Sequence, residues 1–408
     1  MNNLKLSIHH VGGRAGTRSF PILKKFEKDF INVLYDADED CVDQIQIINQ
    51  KNDSELHVMP YALSDKCKNA ILNINYDPYT SSLLEGNKDF DSFYQFDNNH
   101  DYILGEATKA MEKRKINVLS LDHVYEKNKA SFSKPDFLSL DVEGGEYDIL
   151  KGSSKLMKSS ILSVCSEVVF FEFRKQQKMF GDLSNFLSKN GFYFVAFTGF
   201  DKKIWFEELS PYRYPVGLRG SGFHATAEAL FLRKIDYVKN IFPDPSSCYI
   251  NLRKLAFISI VFNQIEYGLE CIKQSQELED RNDIRSKITD IPNYLIFTDK
   301  IKDEIIKYQK SFPKTFTSLY SFKKSKVRFR ANREQSKLRK FVKKFPGVHI
   351  IYSFYLASKV FLYKKWYKLI FFLSISTNFE KTFKNFGLIN QYKSIKKKRI
   401  LQRPHIDN

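Results

Sequence analysis

The sequence KPDFLSLDVEGGEYDILKG, residues 134–152, decides the fold. Its apolar run at 137–140 ends at Asp141 and is followed by an acidic, glycine-containing turn, which predicts a buried strand entering a turn. Apolar residues then recur at helical spacing from Tyr147 onward. A strand, a turn and a helix in this order indicate a parallel α/β sheet, where ligands bind beyond the carboxyl ends of the strands. We therefore predict a site at Asp141 and Glu143. The alternative is that these carboxylates only complement a helix N-terminus.

A glycine-rich turn follows the first predicted strand. Apolar and polar residues alternate over residues 4–8, and the sequence HHVGGRAGT comes next. Glycines let the backbone approach a ligand closely, so this turn is a candidate cofactor cradle. Its predicted cofactor contacts are His10, Gly12, Gly13 and Gly16. The full G-x-G-x-x-G pattern of dinucleotide-binding folds is absent. For His10, a simpler interpretation is a buried histidine at a strand end.

An acidic turn follows the second predicted strand, residues 31–34. Asp36 stands about twenty residues after the glycines, where a carboxylate can accept hydrogen bonds from both hydroxyls of a ribose. Asp38 is a neighbouring candidate, and a solvated acidic turn is the alternative interpretation. The sequence thus predicts a nucleoside-binding contact at Asp36.

A third acidic residue is expected beside Asp141. The predicted strand at 161–169 brings Glu167 near its carboxyl end. Asp141, Glu143 and Glu167 are our candidate catalytic residues, because such carboxylates can either remove a proton from an acceptor or hold a hard ion such as Mg²⁺. The loop at 209–224 is a candidate substrate grip through Arg213, Arg219 and His224.

The hallmark DFLSLDVEGGEYDILKG resembles the central motif of the FkbM family of S-adenosylmethionine (SAM)-dependent methyltransferases. The segments LSLDHVYE, SEVVFFEF, FLSKNGFYFVAF and AEALFLR follow the family's order, and the resemblance covers about residues 6–234. It implies a class I methyltransferase fold, SAM as cofactor and methyl transfer to a hydroxyl. The expected acceptor is a sugar in a surface glycan or a related metabolite.

The resemblance also implies further cofactor contacts. The segment PYALSDKC matches the part of the family that lies against adenine, so Ala62 and Leu63 are expected to pack the ring and Asp65 to bond its amino group. Asp141 is expected to contact the cofactor as well. The family's first motif usually has an acidic residue where this chain has His10.

Two other functions are compatible with a sheet of this kind. An NAD-dependent oxidoreductase is disfavoured, because the sequence has neither G-x-G-x-x-G nor a Tyr-x-x-x-Lys pair placed for hydride chemistry. A catalytically inactive membrane- or glycan-binding protein is the second alternative, since His10 departs from the family's pattern. Calorimetry with SAM and with NAD separates the three.

Charge and periodicity change toward the C-terminus. Residues 301–408 hold 27 Lys and Arg against 5 Asp and Glu, a net charge of +22. A 3,4-spaced apolar stripe at 255–272 predicts a helix that packs within the chain or against a second copy. Aromatic residues are interleaved with lysines at 348–376, as in helices that lie on anionic membranes. A basic but packed helical domain is the alternative, and nucleic-acid binding is a third interpretation without a motif to support it. The sequence predicts a methyltransferase domain at 1–235 and a basic, mostly helical extension at 236–408.

The cysteines and the first ten residues bear on the cellular compartment. Five scattered cysteines without a CxxC pair indicate reduced thiols, and MNNLKLSIHH does not have the pattern of a secretory leader. We expect a cytoplasmic protein, peripheral at the inner membrane face if the basic extension binds lipid. No nucleic-acid-binding motif is present in the sequence.

Overall fold

The computed structural model describes residues 4–12, 23–37, 42, 55–96, 101–206, 222–288 and 290–310. Among these residues, no helix is both long and apolar enough to cross a membrane. The four cysteines in the described part, of which Cys67 alone is exposed, are free thiols.

The described strands are short in the first half of the chain and longer toward its end. They are β1 (Leu6–Val11), β2 (Phe30–Tyr35), β3 (Glu55–Met59), β4 (Ala62–Leu63), β5 (Lys68–Asn75), β6 (Phe93–Phe96), β7 (Asp101–Ile103), β8 (Ala110–Leu119), β9 (Phe137–Leu140), β10 (Ser163–Val169), β11 (Phe192–Phe206) and β12 (Phe223–Arg233).

The described helices lie mainly after the hallmark strand β9. They are α1 (Leu104–Ala107), α2 (Leu121–Asn128), α3 (Glu146–Gly152), α4 (Ser154–Met157), α5 (Phe180–Lys189), α6 (Ile235–Ile241), α7 (Pro245–Val261), α8 (Ile265–Asn282) and α9 (Asn293–Lys310). Short 3-10 turns occur at Leu23–Asp29, Pro78–Thr80, Lys88–Phe90 and Arg285–Lys287.

Within the described residues, nine strands form one sheet in the order β3-β2-β1-β9-β10-β12-β11-β6-β7. The five strands from β3 to β10 are parallel, and β12 runs antiparallel to both β10 and β11. The chain builds outward from β1 on one side and from β9 on the other, so the strand order reverses between them. This reversal is where doubly wound sheets bind ligands. The predicted class I methyltransferase sheet is confirmed.

Side chains from the parallel strands enter two hydrophobic cores. Phe137 packs in a core with residues of α7, whereas the next residue, Leu138, packs in a second core with residues of α3 and α5. Because both faces of the sheet are covered, the strands read in the sequence as continuous apolar runs rather than as alternating ones.

Helices α6 to α9 cover one face of the sheet. In α7, Lys254 Nζ lies 2.7 Å from the Asp136 carboxylate, and both side chains are only 8% exposed. Arg253 pairs with Asp299 of α9 at 2.5 Å. The chain divides into compact units at 1–310 and 311–408. The predicted division after residue 235 stays a prediction, and the helices up to Lys310 belong to the same compact unit as the sheet.

The apolar stripe at 255–272 forms two helices instead of the single predicted one. Helix α7 ends at Val261, Asn263 adopts a left-handed conformation with φ 61°, and α8 begins at Ile265. The two helices pack against each other within the chain, which is the first of the two arrangements that the stripe predicted.

The segment at 86–112 is polar and aromatic in sequence and shows no clear period, yet it contains regular structure in its described part. It forms β6, β7, α1 and the start of β8, and β8 pairs with β5 and β4 in a separate three-stranded sheet. The first eight residues of β8 are exposed or half-buried, so no apolar pattern marked this strand. We call the pair β5 and β8 the ribbon.

Candidate active site

A cavity of about 660 Å³ lies beyond the carboxyl ends of the parallel strands. Its lining has three parts, which we name by position. The strand-end wall consists of Val11, Gly12, Tyr35, Asp36, Ala37, Tyr61, Ala62 and Leu63. The ribbon wall consists of Leu72, Ile74, Pro78, Tyr79, Ser81, Ser82, Leu83 and Arg114. The acidic floor consists of Asp141, Val142, Glu143, Gly145, Glu167 and Glu228.

Gly12 lies where β1 and β9 come closest. Its φ is +82°, and a Cβ atom at this position would lie 1.6 Å from the carbonyl oxygen of Asp141. The backbone N–H of Asp141 donates to the carbonyl of Val11 at 3.0 Å, which fixes the two strand ends together. Only glycine fits this position, because a Cβ would collide with the backbone of Asp141, and the Gly12 backbone lines the cavity.

The acidic turn after β9 is held by Glu146. This carboxylate is buried, and its Oε1 accepts hydrogen bonds from the backbone N–H groups of Val142 at 3.0 Å and Gly144 at 3.1 Å. Burial raises the pKa of Glu146, although these backbone donors oppose the shift. Glu143 adopts φ 59°, a conformation that non-glycine residues adopt at a cost. The hydrogen bonds to Glu146 therefore fix the conformation of the turn, and Glu143 lines the cavity.

The three predicted catalytic carboxylates converge on the floor. Asp141, Glu143 and Glu167 each offer one oxygen atom, and these atoms lie within 4.8 Å of one another. The arrangement follows from the sheet, because β9 and β10 are parallel neighbours and their carboxyl ends meet. The sequence prediction that Glu167 stands beside Asp141 is confirmed in position. The roles of the three residues remain predictions.

Arg174 forms an ion pair with Glu143 and is not itself among the residues that line the cavity. Its guanidinium donates to Glu143 Oε2 at 2.5 Å and to the carbonyl of Thr80 at 3.1 Å, and the Arg174 side chain is 6% exposed. Ser82 Oγ also donates to the Glu143 carbonyl at 2.7 Å. Glu143 is thus fixed by two segments that the sequence analysis did not connect to the site.

The strand-end wall brings together most of the predicted nucleoside contacts. Asp36 follows β2, and its backbone N–H donates to the Met59 carbonyl at 3.2 Å. Ala62 and Leu63 line the same cavity. Asp65 is not among the lining residues, and its carboxylate accepts from Lys68 Nζ at 2.7 Å. That hydrogen bond lowers the pKa of Asp65.

His10 lies inside the sheet rather than at the cavity surface. It is 4% exposed, pairs in register with Leu34 and Ser139, and is not among the lining residues. Burial lowers its pKa to about 4, so the ring is neutral at physiological pH. Its position fits the simpler interpretation of a buried strand histidine. Gly13 and Gly16 lie outside the described residues.

Arg213 and Arg219 of the predicted substrate grip also lie outside the described residues. His224 lies on β12, is exposed, and is not among the residues that line the cavity. The basic segments beyond Lys310 are likewise not described, so their predicted helices and membrane contacts remain predictions.

Several lining residues were missed by sequence reasoning. Glu228 lies on β12 directly opposite Glu167 and adds a fourth carboxylate to the floor. Cys165 is a neighbour of Glu228. Burial is the main cause of a raised pKa of the Cys165 thiol, and the negative charge of Glu228 is the second, so this cysteine is not an activated nucleophile. A polar residue in the otherwise apolar run AEALFLR was the available signal for Glu228. Arg114 carried no such signal, because its segment has no hydrophobic period.

A comparison with protein-family models gives a match to part of this chain. The family model of the methyltransferase FkbM domain matches residues 25–194. Residues 25–194 are therefore similar to a methyltransferase FkbM domain. The matched segment contains Asp36, the ribbon, the acidic turn after β9 and Glu167, whereas Gly12 precedes it and Glu228 follows it.

Two further comparisons, with solved structures and with curated proteins, were less informative about the family. A solved structure that resembles this chain is the methyltransferase FkbM from Methylobacillus flagellatus KT, with 12% sequence identity and a TM-score of 0.30. The match covers 56% of this chain and 44% of that one, so the chain spans less than half of the solved protein. A comparison with curated proteins gave no match.

Proposed function

We propose that the protein is a SAM-dependent O-methyltransferase that acts on a hydroxyl of a sugar, in a surface glycan or a related metabolite. One observation carries the proposal. In a chain whose residues 25–194 match the methyltransferase FkbM domain, three carboxylates within 4.8 Å of one another share a cavity with the Gly12 backbone and Asp36. The cavity volume of about 660 Å³ is in the usual range for a small-molecule site.

The strand-end wall fits a nucleoside cofactor. The Gly12 backbone lines this wall without a side chain, Asp36 offers a carboxylate for ribose hydroxyls, and Ala62 and Leu63 offer a small apolar surface for adenine. We assign Asp141, whose backbone lies beside Gly12, to the amino-acid part of the cofactor. When bound there, SAM would supply a methyl group on a sulfonium, which a hydroxyl oxygen can displace.

The acidic floor would prepare the acceptor. A sugar hydroxyl is a poor nucleophile near neutral pH, so a carboxylate must take its proton as the new C–O bond forms. Glu143 is held by Arg174, and we assign it to orienting the acceptor. Asp141 or Glu167 would take the proton. The walls hold donor and acceptor at one place, which removes much of the entropic cost of the reaction.

A divalent ion remains a prediction. Carboxylate oxygens at the spacing of Asp141, Glu143 and Glu167 suit a hard cation such as Mg²⁺, but Arg174 already occupies one Glu143 oxygen. We derive no step through a metal. The check is turnover in EDTA with and without added Mg²⁺, and loss of turnover that Mg²⁺ restores would establish the requirement.

Calorimetry on the full-length protein tests the proposed function. SAM should bind and NAD should not. Incubation with labelled SAM and host-cell glycan or lipid extracts should then transfer label to a sugar-containing fraction. Binding of NAD instead would favour the oxidoreductase, and binding of neither would favour an inactive binding protein.

We also propose that the basic C-terminal part attaches this cytoplasmic enzyme to an anionic membrane surface. Its charge supports this, at roughly 1 kcal/mol for each cation that reaches the surface. A chain ending at Lys310 keeps the helices that cover the sheet, so it is the proper truncation. Full-length protein should sediment with anionic liposomes at low salt, and the truncation should not. Equal sedimentation of both would refute the proposal.

A further inference from the structure

The ribbon wall presents an exposed aromatic ring on a fixed backbone. Tyr79 is 70% exposed, yet its backbone N–H donates to Asp77 Oδ1 at 3.0 Å inside a 3-10 turn. The next residue, Thr80, donates from Oγ1 to the carbonyls of Asp77 at 2.8 Å and Ala107 at 3.1 Å. Asn75 Nδ2 donates to the Thr80 carbonyl at 2.8 Å. The ring therefore stands on a scaffold that does not depend on a ligand.

The side chains on the two faces of β5 make different contacts. Asn73 and Asn75 are buried and bind the carbonyls of the segment at 80–84. Leu72 and Ile74, at the alternate positions, line the cavity and give it an apolar surface beside Tyr79. An aromatic ring next to aliphatic side chains is a suitable surface for the C–H face of a pyranose, because the ring face is weakly negative and attracts such hydrogens.

A positively charged side chain, that of Arg114, lies on the same face of the ribbon as Leu72. Arg114 of β8 lies in register with Leu72 and lines the cavity. Its guanidinium pairs with Glu112 at 3.0 Å, and both side chains are about half exposed. Exposed ion pairs contribute little to stability, so exchange of the Glu112 carboxylate for an anionic ligand costs little. The guanidinium matches carboxylate and phosphate geometry.

Charge then fixes the orientation of an acceptor. The floor carries Asp141, Glu143, Glu167 and Glu228, which repel an anion but accept a proton from a hydroxyl. An acceptor must place its hydroxyl toward the floor and any anionic group toward Arg114. We infer that the ribbon wall is a subsite for an acidic sugar, with Tyr79 stacking on the ring and Arg114 binding its carboxylate or phosphate. This inference rests on the proposed function.

Ligand-observed NMR titration of the full-length protein tests the subsite without turnover. The probes are methyl β-glucuronide, glucose 6-phosphate and the neutral methyl β-glucoside, which separate carboxylate, phosphate and uncharged sugars. One or both acidic probes should bind about tenfold tighter than the neutral one, and Arg114→Gln should abolish that difference. Lys113→Gln is the matched control, because Lys113 lies opposite Asn73 on the other face of the ribbon. This control also subtracts any attraction to the basic C-terminal part.

A second pair of variants tests the aromatic ring. Tyr79→Ala should weaken sugar binding about fivefold, and Tyr79→Phe should restore it because the stacking face is kept. Tyr76→Ala is the matched control, since Tyr76 is also 70% exposed but does not line the cavity.

Several outcomes would overturn the inference: no binding of any probe to the wild type, equal effects of Arg114→Gln and Lys113→Gln, or equal effects of Tyr79→Ala and Tyr76→Ala. SAM calorimetry on the same samples distinguishes this failure from failure of the proposed function. A protein that binds SAM but fails these comparisons has its acceptor subsite elsewhere.

Discussion

The strand-end wall and the ribbon wall of the cavity are built in different ways. The first consists of strand termini whose backbones approach each other so closely that Gly12 has no room for a Cβ. The second consists of side chains such as Tyr79, in the 3-10 turn after β5, and Arg114, on the mostly exposed strand β8. A small change should therefore disrupt the strand-end wall, whereas the ribbon wall tolerates substitution and is suited to setting acceptor specificity.

The largest expected effect is at Gly12. In Gly12→Ala, the new Cβ meets backbone that cannot move freely, and alanine disfavours φ +82°. We expect the free energy of unfolding to fall by at least about 3 kcal/mol and SAM binding to be lost. Chemical denaturation and calorimetry measure both. Gly181→Ala is the control, because its Cβ would meet nothing within 4 Å, and its stability should change by less than about 1 kcal/mol. Similar stabilities for the two variants would contradict the close approach of β1 and β9.

The next effect concerns the floor between the walls. Asp141→Asn and Glu143→Gln should each reduce turnover at least about a hundredfold while SAM affinity stays within about a few fold, because they remove a proton acceptor or an orienting group. Steady-state kinetics and calorimetry separate the two quantities, and thermal unfolding shows whether loss of the Arg174 contact has disturbed the fold. Wild-type turnover in both variants would mean that these acids are structural.

A smaller effect is expected at the ribose contact. Asp36→Ala should weaken SAM binding by about 1.5 to 3 kcal/mol, the usual contribution of hydrogen bonds to a charged group, with the fold intact. Asp65→Ala provides the comparison, since Asp65 pairs with Lys68 outside the cavity lining. Calorimetry should show a change of less than about twofold for Asp65→Ala. A larger loss at Asp65 than at Asp36 would restore the adenine contact predicted at Asp65 and remove the ribose assignment.

The smallest effect is the acid sensitivity of the sheet beneath the strand-end wall. Burial lowers the pKa of His10 to about 4 and of His9 to about 3, so the unfolded chain binds protons that the folded chain does not. Stability is complete above about pH 6.5 and falls as the pH drops toward 4. At pH 5.5, protonation of His10 in the unfolded chain alone should lower the free energy of unfolding by about 1 kcal/mol. Denaturant unfolding of wild type and His10→Gln at pH 8 and 5.5 isolates this share. Parallel losses in both proteins would refute it.

The contrast between the walls also explains what the sequence revealed. The strand ends at Asp36, Asp141 and Glu167 were predictable, because strands buried on both faces appear as apolar runs and parallel strands end at one edge. The support of Glu143 by Arg174 was not, since the two residues meet only after the chain folds. The ribbon was missed because exposed strands have no apolar pattern. The stripe at 255–272 gave no sign of the break at Asn263, where a single left-handed residue separates two helices.

Hydrogen exchange of the full-length protein, measured with and without SAM, tests the central claim most directly. That claim is that the strand-end wall binds the cofactor and the ribbon wall remains open for the acceptor. We expect SAM to slow exchange in peptides that contain Gly12, Asp36 and Leu63, with little change in the ribbon peptides of β8. Protection of the ribbon without protection at Gly12 and Asp36, or no protection anywhere, would contradict the account.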